Sequence, residues 1–246
     1  MQSRHAALHL MAAGIVTLAL AGPARAAEYK EGDVKSGGSI TGAIKFEGSA
    51  PEGKTLSVNK DKEVCGKAPI KDESLVVKGG GVVNAVVSLK DVKTGKKWAE
   101  MKKAQVDQKG CVYHPRVVLT KVNDDLTVLN SDNILHNIHT YPEKTGNPVA
   151  NIAQPKFRKK LSLAKRHFAK PGVVKISCDV HDWMTGYAFV AENPYADITE
   201  DGGKFEIKNV PAGTYTLEIW HEKLGMKSQK VEVKGGAATT VNVSLK

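Results

Sequence analysis

The 246 residues carry 36 Lys/Arg against 26 Asp/Glu, a formal net charge of +10 and only 6% aromatic residues. Few aromatics argue against a stacked platform for carbohydrate, and no nucleophile–base pair, phosphate-cradling loop or catalytic carboxylate dyad stands out, so no enzymatic activity is expected. The chain opens in the manner of a secretory leader: Arg4, an apolar run from Ala6 to Ala21, and the small-residue site Ala24-Arg25-Ala26. The run is short for a membrane span. Cleavage after Ala26 leaves about 220 residues, with no later segment apolar enough to cross a bilayer, and predicts a periplasmic protein. An uncleaved N-terminal anchor is the alternative. Export excludes nucleic acid as a partner, and the basic balance favours an acidic protein or an anionic membrane face.

Almost every periodic segment after the leader alternates with period two, so an all-β chain is expected. Residues 27–38 read as a polar, mobile entry. Ile40–Phe46 and Val82–Leu89 read as strands, followed by Val117–Val122 and Leu126–Leu129. Residues 141–155 read as a Pro/Gly-rich loop. Phe157–Leu163, Val173–Cys178 and Tyr187–Ala191 come next, and Asn193-Pro194 breaks the pattern. The tail holds Lys204–Ile207, Thr214–Trp220, Gln229–Val233 and Thr239–Leu245, separated by Gly/Pro turns.

The chemistry concentrates in two places. Cys178-Asp179-Val180-His181-Asp182-Trp183-Met184 offers a thiolate, an imidazole and a thioether within seven residues, and Asn130-Ser131-Asp132 leads into His136-Asn137. One Cys, two His and a weak Met form the ligand set of a mononuclear type 1 copper site. Alternation along Val174, Ile176 and Cys178 turns the cysteine inward at a strand end, with His181 and Met184 on the loop beyond. A structural zinc site fits less well, because zinc seldom takes Met. In an oxidising compartment three cysteines suggest a pair and one left over. With Cys178 committed as a ligand, Cys65 and Cys111 are the candidate disulfide, two buried thiols being the alternative.

The C-x2-H-x2-M loop joined to N-x-D-x3-H-N resembles the cupredoxins over 111–191, and its short loop is similar to that of amicyanin. The resemblance implies a Greek-key β-sandwich holding one copper ion, with Cys178, His136 and His181 in a trigonal plane and Met184 axial. It makes Asn137 the residue that ties the two ligand loops and donates toward the Cys178 sulfur. It also implies single-electron transfer through the surface edge of His181, past Val180 and Trp183, to a cytochrome c or a periplasmic dehydrogenase. Amicyanin's loop contains proline, whereas this one carries Asp179, Asp182 and Trp183, which leaves the potential open. Thr199–Phe205 and Val210–Leu217 resemble the carboxypeptidase-regulatory-like β-sandwich, a second, small Ig/prealbumin-like unit.

The expected layout is a discontinuous sandwich of residues 38–100 with 195–246, and a copper domain at 104–193 inserted between its halves. Two consecutive domains are the competing layout. A copper-handling protein, or a surface-binding module with a structural metal, are the alternatives to electron transfer, and a monomer is expected. His139, three residues from His136, reads as packing or surface on the opposite face, with a second copper ligand or a proton-coupled neighbour as the sharper reading; His221 reads as structural, with a place facing the copper domain as the alternative. Lys144 to Lys175 contains nine Lys/Arg and no Asp or Glu: solvated faces, or a docking patch for an acidic partner.

Overall fold

The computed structural model describes residues 28–101 and 103–246; the leader lies outside the described residues. The N-terminal third supplies β1 (Lys30–Glu31), β2 (Gly38–Phe46), β3 (Val76–Lys78), β4 (Gly81–Val83), β5 (Val86–Lys90) and β6 (Thr94–Gly95), with a single helical turn α1 (Lys62–Cys65). The middle supplies β7 (Gln105–Lys109), β8 (Val112–His114), β9 (Val117–Lys121), β10 (Leu126–Asn130), β11 (His136–Pro142), β12 (Ala150–Gln154), β13 (Lys160–Leu163), β14 (Gly172–Ser177) and β15 (Thr185–Ala191). The tail supplies β16 (Ala196–Ile198), β17 (Lys204–Val210), β18 (Gly213–His221), β19 (Gly225–Val233) and β20 (Ala238–Leu245).

The fold is all-β, one sandwich joined to a second. One sheet orders β13-β10-β7-β8 and its partner β12-β11-β14-β15-β9. The second sandwich orders β16-β5-β18-β19 against β17-β2-β4-β3, with β20 parallel to β2. Its strands come from both ends of the chain. No described helix is long and apolar enough to cross a membrane.

Alternation along single strands feeds successive cores. In β15, Ala188 and Val190 face the core of the first sandwich with Val118, Leu126, Val128, Ile138 and Ile176. Tyr187, Phe189 and Ala191 face the other way, toward Val86 and Trp220 of the second sandwich. From there Val87, Leu89, Leu217 and Ile219 point into the third core with Ile40, Ile44 and Val243. The five-stranded sheet of β15 is therefore covered on both faces. Each fully buried Val, Leu or Ile contributes about 1.5–3 kcal/mol, so the interface between the sandwiches is part of the stabilised interior.

Four expected boundaries change. Val82–Leu89 is two strands: Asn84 takes φ 65, and β4 and β5 join different sheets. The expected loop at 141–155 contains β12, which pairs with β11. The strand expected from Phe157 begins at Lys160, because Phe157 lies in a turn closed by the Arg158 N–H on the Pro155 carbonyl and is 82% exposed. The entry segment includes β1, paired in parallel with β6.

Two polar features sit beside the shared core. Arg116 donates through Nε and Nη2 to Glu222, the second bond at 2.8 Å, and both side chains are largely buried. Glu222→Gln removes the counter-charge of a buried guanidinium and is expected to cost about 3 kcal/mol, read as a lower urea midpoint with unchanged slope. His221 is buried, and desolvation pushes its imidazole down to about 4. The unfolded chain binds that proton near the ordinary histidine value of about 6.5. Its contribution is complete above that pH and is lost as pH falls toward 4, by up to about 3 kcal/mol. His221→Gln is expected to flatten this part of the decline, measured as the urea midpoint at pH 7 and 4.5 beside wild type.

Candidate metal centre

Two neighbouring strands bring the ligands together. β11 and β14 are antiparallel with His139 opposite Ser177, so Cys178, one residue past Ser177, comes to the end of β11 where His136 sits. The ligand loop then turns back: the Met184 N–H donates to the His181 carbonyl at 3.0 Å. His136 and His181 are fully buried, and Cys178 and Met184 almost so. The Nδ1 atoms of the two histidines lie 3.0 Å apart, and the Cys178 Sγ is 3.9 Å from that of His136 and 3.7 Å from that of His181. Met184 is buried in the same core as Cys178.

The outer nitrogens decide the tautomers. His136 Nε2 donates to Asp132 Oδ2 at 2.9 Å, and His181 Nε2 donates to Asp61 Oδ2 at 2.8 Å. A carboxylate accepts only, so in each neutral imidazole the ring proton belongs on Nε2 and the Nδ1 lone pair faces inward beside the sulfur. Two imidazole nitrogens and a sulfur thus converge inside the protein, a donor set that could hold a cation. Bonds of about 2.0 Å to imidazole and about 2.3 Å to thiolate, spread trigonally, leave ligand atoms about 3.5–3.7 Å apart. The two sulfur–nitrogen spacings, 3.7 and 3.9 Å, are close to this, and the 3.0 Å between the histidine nitrogens is shorter, the distance of a direct hydrogen bond.

The electrostatics favour the thiolate of Cys178 and the neutral form of His181, whereas His136 is pushed toward its charged form. Burial pushes the Cys178 thiol up, but the bond to His136 and the backbone N–H groups of Asn137, His181 and Val180 outweigh it and hold the thiol below its usual range. Burial opposes charge on His136, yet Asp132 and Cys178 raise it overall. For His181 burial prevails over Asp61, and the imidazole is lowered, the neutral form a metal needs. Asp132 is kept below the usual carboxylate range despite burial, by His136 and the N–H groups of Cys111 and Gly110.

Asn137 lies between the two ligand loops. Its backbone N–H, rather than its side chain, points at Cys178 Sγ at 3.5 Å. Its side chain accepts from the Asp179 N–H at 2.6 Å and donates to Asp179 and Asn151. His139 is not a simple packing residue: Asp179 and Tyr141 both bond its Nδ1, so it braces the residue after Cys178 from the outer face. Cys65 and Cys111 form a disulfide. His221 is buried away from the ligands, in the second sandwich.

One expectation fails. The edge of His181 does not reach the surface: the residue is fully buried, because Asp61 covers Nε2 and the Trp183 ring lies against it at 5.1 Å. Asp61 and the role of Asp132 escaped the sequence reading. Asp132 stood inside the quoted N-x-D segment; Asp61 gave no signal beyond lying four residues before Cys65.

Comparison with known proteins gives partial matches. A family model described as polysaccharide lyase family 4, domain II, matches residues 167–241, running from the first sandwich through the 178–184 loop into the tail. It is a different family from the carboxypeptidase-regulatory sandwich suggested by the tail's turns. No protein of curated function matches the chain. Among solved structures, an oxidised proline-to-glycine mutant of amicyanin is 24% identical over 36% of this chain and 82% of its own, at a TM-score of 0.31. A purple cupredoxin from Nitrosopumilus maritimus is 22% identical, covering 36% of this chain and all of that one, at 0.30. A copper-containing nitrite reductase from Thermus scotoductus is 18% identical, covering 37% of this chain and 23% of its own, at 0.30.

Proposed function

We propose that this is an exported, cupredoxin-like protein that binds one copper ion at Cys178, His136, His181 and Met184 and carries single electrons, without acting as an enzyme. The observation that carries the reading is the convergence of two Nδ1 lone pairs and a favoured thiolate, each imidazole locked by a carboxylate. Bound copper supplies a one-electron couple. The chain's own part is to keep the donors still, since every ligand is buried and a carboxylate holds the outer nitrogen of each histidine. A fixed donor set changes little between oxidation states, and four protein ligands leave no position for a substrate.

The periplasmic assignment rests on the leader and agrees with the disulfide. The partner is an acidic redox protein, of the kind of a cytochrome c or a periplasmic dehydrogenase. Supporting this, Leu135 and Phe157 are exposed at the metal end of the sandwich, and Lys156, Arg158, Lys159 and Lys160 surround Phe157 in sequence. The test is voltammetry of the copper-loaded mature protein together with its electron self-exchange rate. A reversible one-electron wave with rapid exchange is expected. Irreversible reduction would sink the carrier reading.

Copper handling is the second reading, favoured by one observation: the covered edge of His181 obstructs close approach of a redox partner there. It predicts slow self-exchange and ready transfer of Cu(I) to a chelator.

A further inference from the structure

The segment between β2 and β3 leaves the second sandwich and lies on the metal end of the first. Its two legs hold each other: the Leu56 N–H donates to the Ile70 carbonyl at 2.8 Å, and the Asp72 N–H to the Lys54 carbonyl at 2.7 Å. Ile70 and Cys65 are buried in the cupredoxin-like core, with Leu56, Val58 and Val64 packed against it. The disulfide ties the tip of this strap to Cys111. Cys111 is in turn bound to the site, through its N–H on Asp132 and its carbonyl under the Trp183 Nε1–H.

Asp61 stands at the head of α1 with φ 47. A residue there ordinarily turns its side chain onto its own helix. Asp61 does not: it makes no side-chain cap, and the Val64 and Cys65 N–H groups bond its backbone carbonyl instead. The left-handed backbone leaves the carboxylate to reach His181 Nε2, 120 residues away in sequence.

We infer that Asp61 is a positioning residue for the metal centre, and that the strap of residues 51–72 is a fixed cover over the outer edge of His181. The inference rests on the copper reading above. The carboxylate fixes the imidazole with Nδ1 toward Cys178 and His136, and with Trp183 it keeps water and partner surfaces off the ring. Its negative charge beside a ligand favours the more positive, oxidised metal, so it holds the potential down. Electrons or copper must then pass through the strap or by another face.

Two variants and two kinds of readout test this. In metal-free protein, the His181 Nε2–H is expected to exchange slowly with water by 15N-edited NMR, and at least tenfold faster in Asp61→Ala. This arm is independent of copper: failure to form the copper site would leave it standing, whereas fast exchange in wild type would overturn it. In Cu(II)-loaded protein, Asp61→Ala is expected to lose about 10–100-fold in affinity. Asp61→Asn, whose amide oxygen can still accept from Nε2–H, is expected to restore affinity and spectrum while keeping a potential above that of wild type. Asp61→Ala with wild-type affinity, potential and exchange would overturn the inference.

Discussion

Copper is expected to give the wild-type protein an intense visible absorption and a narrow copper hyperfine splitting in EPR, and Cys178→Ser to abolish both. The intensity comes from charge transfer out of a thiolate held close to the metal, and this site is built to supply one. The Cys178 sulfur receives the Asn137 N–H at 3.5 Å and is flanked by two imidazoles, so the thiol is held below its usual range despite burial. Serine has neither the polarisable sulfur nor an accessible anion at neutral pH. The same variant separates binding from colour. A metal held at 1,000 times its dissociation constant stabilises the folded state by about 4 kcal/mol. In a chain of this size that corresponds to about 10 °C in Tm. Calorimetry with and without copper should show this shift in wild type and almost none in Cys178→Ser. An equal shift in both would place the metal elsewhere.

The candidate ligands were legible because the chemistry of a metal site demands particular side chains at short spacings. Cys178, His181 and Met184 share one loop, and His136 follows a segment whose Asn130 and Asp132 side chains shape its turn. The strands were legible from alternation, but alternation shows which residues share a face and not what covers it. The apolar run Tyr187–Ala191 reads only as a strand, and it is the structure that shows both faces of its sheet buried. The break at Asn84 was hidden because the apolar residues on its two sides read as one strand. β12, with the sequence Ala-Asn-Ile-Ala-Gln, has little β-propensity of its own and is a strand because β11 pairs with it. Asp61 lay beyond reach for another reason. A contact spanning 120 residues depends on where the strap is pinned, and only the disulfide and the packing of Leu56, Val58 and Val64 fix that.

Replacing both half-cystines, Cys65→Ala with Cys111→Ala, is expected to lower stability by about 4 kcal/mol, the chain-entropy value for the separation of 46 residues that this bond closes. Both are replaced together because a single change would leave a buried thiol near Cys178 able to exchange. The loss should appear as a fall in the urea midpoint of the oxidised form, and reductant should bring wild type down to the variant. The consequence is not confined to stability. Cys111 presents its N–H to Asp132 and its carbonyl to Trp183, while Cys65 closes the turn that Asp61 begins. One covalent bond therefore holds both carboxylates that orient the two histidines. With it gone, the strap keeps only its apolar packing and the single bond from His181 to Asp61. The His181 Nε2–H should exchange faster in the variant even under conditions where the fold is fully populated. A variant within about 1 kcal/mol of wild type, with that proton still protected, would mean that packing alone holds the cover in place.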